Sequence, residues 1–403
     1  MLKVNSKNFG CPLFVDDDLS LLLLPCFFSD ALAKTGSVLG IHENIVDNKI
    51  VSKELVERDV GYKTVNIINN RLDTFLQWIE EYAQESKHVS LNAHHNIPDK
   101  IINYYLNDVL IDERGVGEIA IQQHMMALNA YYNYLAYTGF TTVKNLLIKP
   151  KFKAKTRTNN KSRNAVKYLT PELRSILYQN TNSIRNELLL KTGAELGLRS
   201  KENLGLLVND FSVGTKKYSG MLSLFAMLKS DPEKMEFEYY LQGMYTKSKR
   251  HSGGISRVIY IHRDLLMRLK EYYDLERPKT TENTFFVNDS TSERGTPISE
   301  SRASRVFKDA RTVVLEKQAK GLLVEEGQML EADHTHHVLR HSFGTDKFYE
   351  YATANGMAVD DVTPTSQVYL TVARLMGHSS NKQSAPQTTR TYIRSCHIKA
   401  QFE

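Results

Sequence analysis

The chain has 403 residues, of which 41% are hydrophobic, and carries 52 Lys+Arg against 46 Asp+Glu for a formal net charge of +6. That length exceeds one ordinary domain and predicts two or three, and the apolar share is enough for real cores in a soluble globular protein. So mild a surplus of charge implies an anionic partner only where the positive residues cluster.

Residues 1–62 show no helical period, and the alternation around Ile45, Val46, Ile50 and Val51 predicts short strands in an N-terminal accessory region. The apolar run Leu19 to Phe28 is interrupted by Pro25, is too short to span a bilayer, and follows Asp16, Asp17 and Asp18 where a signal peptide would be positive, so it reads as a buried strand or packing segment. Cys11, Cys26 and Cys396 are odd in number, far apart and without a C-x-x-C pair. They argue for a reducing, cytoplasmic compartment and against a disulfide framework or a zinc module.

From 63 to 148 the pattern becomes helical: Leu72, Phe75, Leu76, Ile79 and Tyr82 recur at helical spacing, as do Ile119, Ile121, Met125, Leu128, Tyr132 and Leu135. A small all-helical domain ending near Gly139 is expected there. Next comes a stretch with no acidic residue, 149–167, containing Lys149, Lys151, Lys153, Lys155, Arg157, Lys161, Arg163 and Lys167. It reads either as a solvated interdomain linker or as a strap along a phosphate backbone, where each neutralised phosphate releases counterions.

Thr170-Pro171-Glu172 opens a new helix with Thr as N-cap and Pro in the first turn, so a C-terminal domain is expected over 168–403. Helical stretches are predicted over 172–196, 201–208, 263–274, 301–317, 338–352 and 366–376, around a strand-like zone near 221–261. The expected class is mainly α with one small β-sheet or hairpin.

Four short motifs follow one another in that domain. In Gly197-Leu198-Arg199-Ser200-Lys201-Glu202, Ser200 is suited to cap a helix, leaving Arg199 in the preceding turn. Its planar fork could bind two phosphate oxygens while Glu202 steadies it, although a plain surface Arg–Glu pair reads the same. Tyr245-Thr246-Lys247-Ser248-Lys249-Arg250 with Gly253-Gly254 and Arg257 to Ile261 reads as a β-hairpin, able to set a lysine in a groove as a general acid or simply to form a solvated basic turn. His337 and Arg340 lie at i and i+3 on a helix and share a face, while Leu339 and Phe343 point to the core. His334, His336, His337 and His341 raise a metal reading that no H-E-x-x-H or Cys pair supports. Gly377-His378 and then Tyr392 complete the series.

In content and order, Arg199 with Glu202, Lys247, His337-x-x-Arg340, Gly377-His378 and Tyr392 resemble the signature of the tyrosine recombinases, the phage-integrase family. The resemblance spans about 63–394 and leaves 1–62 uncovered. It implies a helical core-binding domain and a catalytic domain closing as a C-shaped clamp on double-stranded DNA, joined by the basic linker, with Lys249 and Arg250 as further DNA contacts. It also implies roles: Tyr392 attacks the scissile phosphate to give a 3′-phosphotyrosine; Arg199, Arg340 and His378 bind its non-bridging oxygens; Lys247 protonates the leaving oxygen; His337 assists proton removal from Tyr392. No metal or other cofactor is implied. The implied assembly is a homotetramer on two duplexes that integrates or excises a mobile element, with possible accessory DNA-bending or directionality proteins, in a bacterial or phage-encoded, nucleoid-associated setting.

Tyr392 follows His378 by fourteen residues, more than the family usually shows, with the surplus in a loop-like stretch from Ser380 to Gln387. Asn203 stands where an apolar residue is usual, the hairpin offers Lys249 beside Lys247 as the acid, and eleven residues follow Tyr392 as a short tail for docking on a neighbour. A type IB topoisomerase and a non-catalytic DNA-binding protein on the same scaffold remain alternatives.

Overall fold

The computed structural model describes residues 2–6, 8–46, 49–86, 89–159, 167–246, 248–249, 253–323, 327–358, 363, 365–378, 395–396 and 399. The chain divides into two compact units, one of residues 1–162 and the other, apart from 249–252, of 163–403.

In the first unit a small hairpin, β1 (Leu2–Asn5) and β2 (Pro12–Val15), leads into helix α1 (Leu23–Thr35). The run 19–28, expected as a buried strand or a packing segment, is thus a turn and the start of a helix, with Leu22, Cys26 and Phe28 packed into the core. Pro25 is tolerated because it lies in the first turn, where a missing N–H costs no intrahelical bond. A long antiparallel ribbon follows, β3 (Ser37–Val46) against β4 (Lys49–Asp59), with a register shift at Asn44/Ile45. Then come α2 (Tyr62–Glu85), α3 (Asp99–Tyr104), a π-wound continuation to Glu113, α4 (Glu118–Tyr137) and α5 (Pro150–Asn159).

Residues 1–62, expected as a separate accessory region, contribute Phe14, Leu22, Phe28 and Leu32 to the same core as Leu72, Phe75, Tyr131 and Tyr132. The stretch read as a linker is helical over 150–159, because Phe152 and Thr156, one turn apart, are buried in that unit and hold the helix down.

The second unit opens with α6 (Pro171–Gln179), capped as expected: Thr170 Oγ1 accepts from Leu173 N at 3.3 Å, and Pro171 occupies the first turn. The single helix expected over 172–196 is interrupted, since Ser183 caps a separate helix α7 (Ile184–Glu195) by accepting from Asn186 N at 3.2 Å. A short 3₁₀ turn (Ser200–Gly205) precedes the small hairpin β5 (Phe211–Val213) and β6 (Lys216–Tyr218).

The first quarter of the expected strand zone is helix α8 (Met221–Ser230), whose buried Met221, Leu224, Phe225 and Leu228 keep a helical period. The strands are β7 (Glu236–Leu241) and β10 (Arg257–His262), antiparallel with Arg257 opposite Leu241, and between them the short pair β8 (Ser248–Lys249) and β9 (Gly253–Gly254) extends the hairpin. Helices α9 (Arg263–Glu271), α10 (Arg302–Ala319), α11 (His337–Ala354) and α12 (Gln367–Leu375) complete the unit.

Leu189, Leu190, Phe237, Tyr239, Leu266, Phe285, Phe307 and Leu339 lie in its main core. A second cluster joins Phe343, Phe348, Tyr369, Val372, Met376 and Cys396 between α11 and α12. The class is mainly helical with small antiparallel sheets, and no helix among the described residues is long and apolar enough to cross a membrane.

Candidate active site

Two turns, one helix and one strand bring the charged residues of the second unit together. Gly197, in the left-handed region at φ 63°, turns the chain out of α7, and a Cβ there would stand 2.5 Å from the Phe343 ring of α11. Only glycine lets that turn pack so closely. Arg199 follows with its side chain 27% exposed, and Glu202, buried at 1%, reaches back to it: Oε2 accepts from Arg199 N at 2.9 Å and Oε1 from Arg199 Nη1 at 2.7 Å. The carboxylate of Glu202 therefore supplies the cap expected of Ser200, whose hydroxyl donates instead to Glu300 O at 2.7 Å. Asn203, buried in place of an apolar residue, accepts from Thr192 Oγ1 at 2.7 Å and donates to Ser200 O at 3.3 Å, so its amide ties α7 to this turn.

Arg340 on α11 is 1% exposed and joins two more pieces. Its Nη1 donates to Gly197 O and its Nη2 to Met376 O, and Nη1 also lies 3.5 Å from Glu202 Oε2. Met376 ends the turn after α12, where Gly377 (φ 59°) presents His378. One guanidinium thus connects the helix that bears His337 to the turns that bear Arg199 and His378.

A fourth charge was not anticipated from the sequence. Arg257, 7% exposed, donates from Nη1 to Glu202 Oε1 at 3.2 Å and from Nη2 to Glu202 Oε2 at 2.8 Å. A signal was present: Arg257 alternates with Ile259 and Ile261 on the inward face of β10, where a charge is out of place unless paired.

The electrostatics follow from these contacts. Burial pushes the Glu202 carboxyl up, but the hydrogen bond and charge of Arg257, with the charges of Arg340 and Arg199, outweigh it and hold the group at about 2. Three guanidiniums face that single anion, so the cluster keeps a positive surplus an anion could neutralise. Enclosure and then the charges of Arg340, Arg199 and Lys167 lower His337 to about 4; because its ring still reaches solvent, we assign its neutrality mainly to the cations. Burial, then Arg340 and Arg199, lowers His378 to about 3. His341, its ring 4.7 Å from that of His337, is lowered to about 3 by burial and then by His337 and Lys167. At neutral pH these imidazoles are uncharged and able to accept a proton or a hydrogen bond.

No family model matches the sequence, and no curated protein matches it. Among solved structures, the XerH site-specific recombinase bound to its difH substrate in a pre-cleavage complex superposes with a TM-score of 0.51, at 17% identity, over 84% of this chain and 78% of that one. This chain has the tyrosine-recombinase fold. The Tn1549 transposon integrase in complex with a circular intermediate DNA is also similar (TM-score 0.49, 14% identity, 94% of this chain and 98% of that one), as is a lambda integrase dimer bound to a COC′ core site (0.44, 16%, 83% and 90%).

Within the tyrosine-recombinase fold, Arg199, Glu202 and Arg340 are joined by the contacts above, and His337 and His378 lie close enough to feel the charges of Arg199 and Arg340. Tyr392, Lys247, Arg250, Lys161 and Arg163 lie outside the described residues, as does the stretch Ser380 to Gln387, and Lys249 is placed only by its backbone on β8. Lys149, Lys151, Lys153, Lys155 and Arg157 are exposed on or beside α5, around its buried Phe152 and Thr156. Lys155 is already paired with Asp112 of the same unit. Among the described residues no group of His, Cys, Asp and Glu is placed to hold a metal ion. His334 and His336 are buried: His334 Nδ1 accepts from Glu331 N at 3.0 Å, and His336 Nε2 lies 3.4 Å from Leu189 O.

Proposed function

We propose that the chain is a site-specific DNA recombinase that cleaves and rejoins strands through a 3′-phosphotyrosyl intermediate on Tyr392. The observation that carries this reading is the convergence of Arg199, Arg340, His337 and His378 around the buried Glu202, on a fold shared with a site-specific recombinase.

Attack on a phosphodiester builds negative charge on the equatorial oxygens, and fixed guanidiniums can stabilise it without a metal. Tyr392 Oη forms the new P–O bond while the bond to the 5′ oxygen breaks. His337, neutral at working pH, takes the tyrosine proton, and Lys247 gives a proton to the departing 5′ oxygen, leaving a free 5′-hydroxyl. Arg199, half-buried, and His378 meet the non-bridging oxygens, with Arg340 behind them adding charge and fixing both turns. Reversal by another strand's 5′-hydroxyl reseals the DNA, so the phosphotyrosine conserves the bond energy and ATP is not required.

Lys149, Lys151, Lys153, Lys155 and Arg157, with Lys161, Arg163, Lys249 and Arg250, would contact the DNA backbone around the cleavage point. The protein would work inside the cell, as a tetramer on two duplexes, integrating or excising a mobile element.

The test is covalent trapping from a pool of randomised duplexes, each nicked near the middle so that a cleaved strand end diffuses away. Protein attached to DNA 3′ ends at a consensus sequence is expected. Attachment without sequence preference, with relaxation of supercoils, would indicate a type IB topoisomerase, and binding with no covalent product would indicate a DNA-binding protein on the same scaffold.

A further inference from the structure

Arg257 is the one charged member of the cluster for which the reaction described above has no use. Its side chain is 4% exposed and that of its partner Glu202 1%, so neither offers a face to DNA. The inward side of the β7–β10 ribbon is otherwise apolar, with Phe237, Leu241, Ile259 and Ile261 buried beside it. A leucine there would pack with no desolvation cost, whereas a buried guanidinium is tolerated only where an anion pairs it, as Glu202 pairs Nη1 and Nη2 here. We infer that Arg257 is a positioning residue for strand cleavage, fixing through the carboxylate of Glu202 the direction in which Arg199 and Arg340 present their charge. The inference rests on the recombinase reading and deepens it.

The geometry carries the argument. Arg257 occupies one acceptor direction on each Glu202 oxygen, which locks the carboxylate against rotation about its last bond. The remaining directions then receive Arg199 N and Nη1 at 2.9 and 2.7 Å, while Arg340 stays at 3.5 Å. Without Arg257 the two vacated acceptor directions would draw Arg199 inward, and Glu202 would spend its charge on the group meant for phosphate. Arg257 also supports the third motif: a Cβ on Gly377 would stand 2.8 Å from its Nη1, so the turn that presents His378 rests directly on this guanidinium. Its charge lowers both Glu202 and His378, which keeps the first ionised and the second neutral.

The experiment uses the full-length protein and the nicked duplex recovered with wild type, measuring single-turnover cleavage at saturating DNA alongside DNA affinity and thermal melting for R257M, R257K, E202Q and the double variant R257M/E202Q. R257M should slow cleavage about 100-fold, the scale of a small misplacement in a reacting site, while affinity stays within about threefold. R257K, which restores charge but not the fork, should recover part of the rate. In the E202Q background R257M should cost no more than about threefold further, because the two residues act as a unit.

Wild-type cleavage by R257M, or the same fold-loss in both backgrounds, overturns the inference. If R257M does not melt cooperatively, R257K carries the test, with about tenfold slower cleavage at unchanged affinity expected and a wild-type rate overturning it. A wild-type protein that forms no covalent complex overturns the recombinase reading itself, and the role of Arg257 falls with it.

Discussion

Arg340 donates through Nη1 to the carbonyl oxygen of Gly197, a residue 143 positions earlier in the chain, and thereby pins the turn that carries Arg199 to the helix that carries His337. The second nitrogen does the same for the turn before His378. The pocket is therefore held together by one of the groups expected to bind phosphate, and structure and chemistry can be separated by mutation.

Arg340→Lys should fail on both counts. An ammonium cannot span two carbonyls on opposite sides of a planar fork, and leaving buried acceptors unpaired costs about 1–3 kcal/mol each. Melting temperature should fall by several degrees and cleavage by at least about 100-fold. Calorimetry and suicide-substrate kinetics on the same preparation check the pair of effects.

Arg199→Ala should separate them. Its side chain is partly exposed and its main-chain N–H still donates to Glu202 after the change, so the melting temperature should hold to within about 2 °C, a surface-type effect. Cleavage should drop about 100- to 1000-fold with DNA affinity nearly unchanged, since the lost contact is made mainly in the transition state.

Gly377→Ala tests the crowded turn against an internal control. Gly321 has a similar φ of 64° with nothing within 4 Å of an added Cβ, so Gly321→Ala reports conformational strain alone, about 1–2 kcal/mol. Gly377→Ala adds the collision with Arg257 and should destabilise more, with a large loss of cleavage that Gly321→Ala does not share. Equal melting shifts for the two would show that Arg257 gives way.

Acid should weaken the fold before any ordinary carboxylate titrates. His336 is lowered to about 4 by burial, and His337, His341 and His378 are lowered as described above. As pH falls through the usual histidine value near 6.5, the unfolded chain takes up protons that the folded one does not, so stability present at pH 7 is lost toward pH 4. His337 should contribute least, because its ring reaches solvent. Glu202, also depressed, adds its loss only as pH falls below 4.5 toward about 2. Melting temperature followed from pH 7 to 5 should decline, with a shallower slope for His378→Gln; a flat profile would contradict the buried neutral imidazoles.

Much of the site was legible because each motif is local. Glu202 lies three residues from Arg199, and Arg340 three from His337, so helical and turn spacing alone put them side by side. Arg257 is not legible in the sequence because its partner stands 55 residues away, in the turn after α7, and no local rule joins them. The fold shows the same division. Thr170-Pro171 announced α6, and the periods of α2 and α4 are plain in the chain. Helix α5 resembles a linker or strap in composition because its lysines dominate, while a tertiary anchor at Phe152 decides its structure. Helix α8 resembles strand in its apolar content, while the spacing of Met221, Leu224, Phe225 and Leu228 fits a helix.

The assignment of the nucleophile is tested most directly by locating the covalent bond itself. Wild-type protein trapped on the nicked duplex is digested with nuclease and protease, and the peptide that retains a 3′-nucleotide is sequenced by mass spectrometry. The account predicts the adduct on Tyr392, one of 21 tyrosines, and no adduct from Tyr392→Phe under the same conditions. An adduct on another residue, or trapping of Tyr392→Phe at the wild-type level, would contradict it.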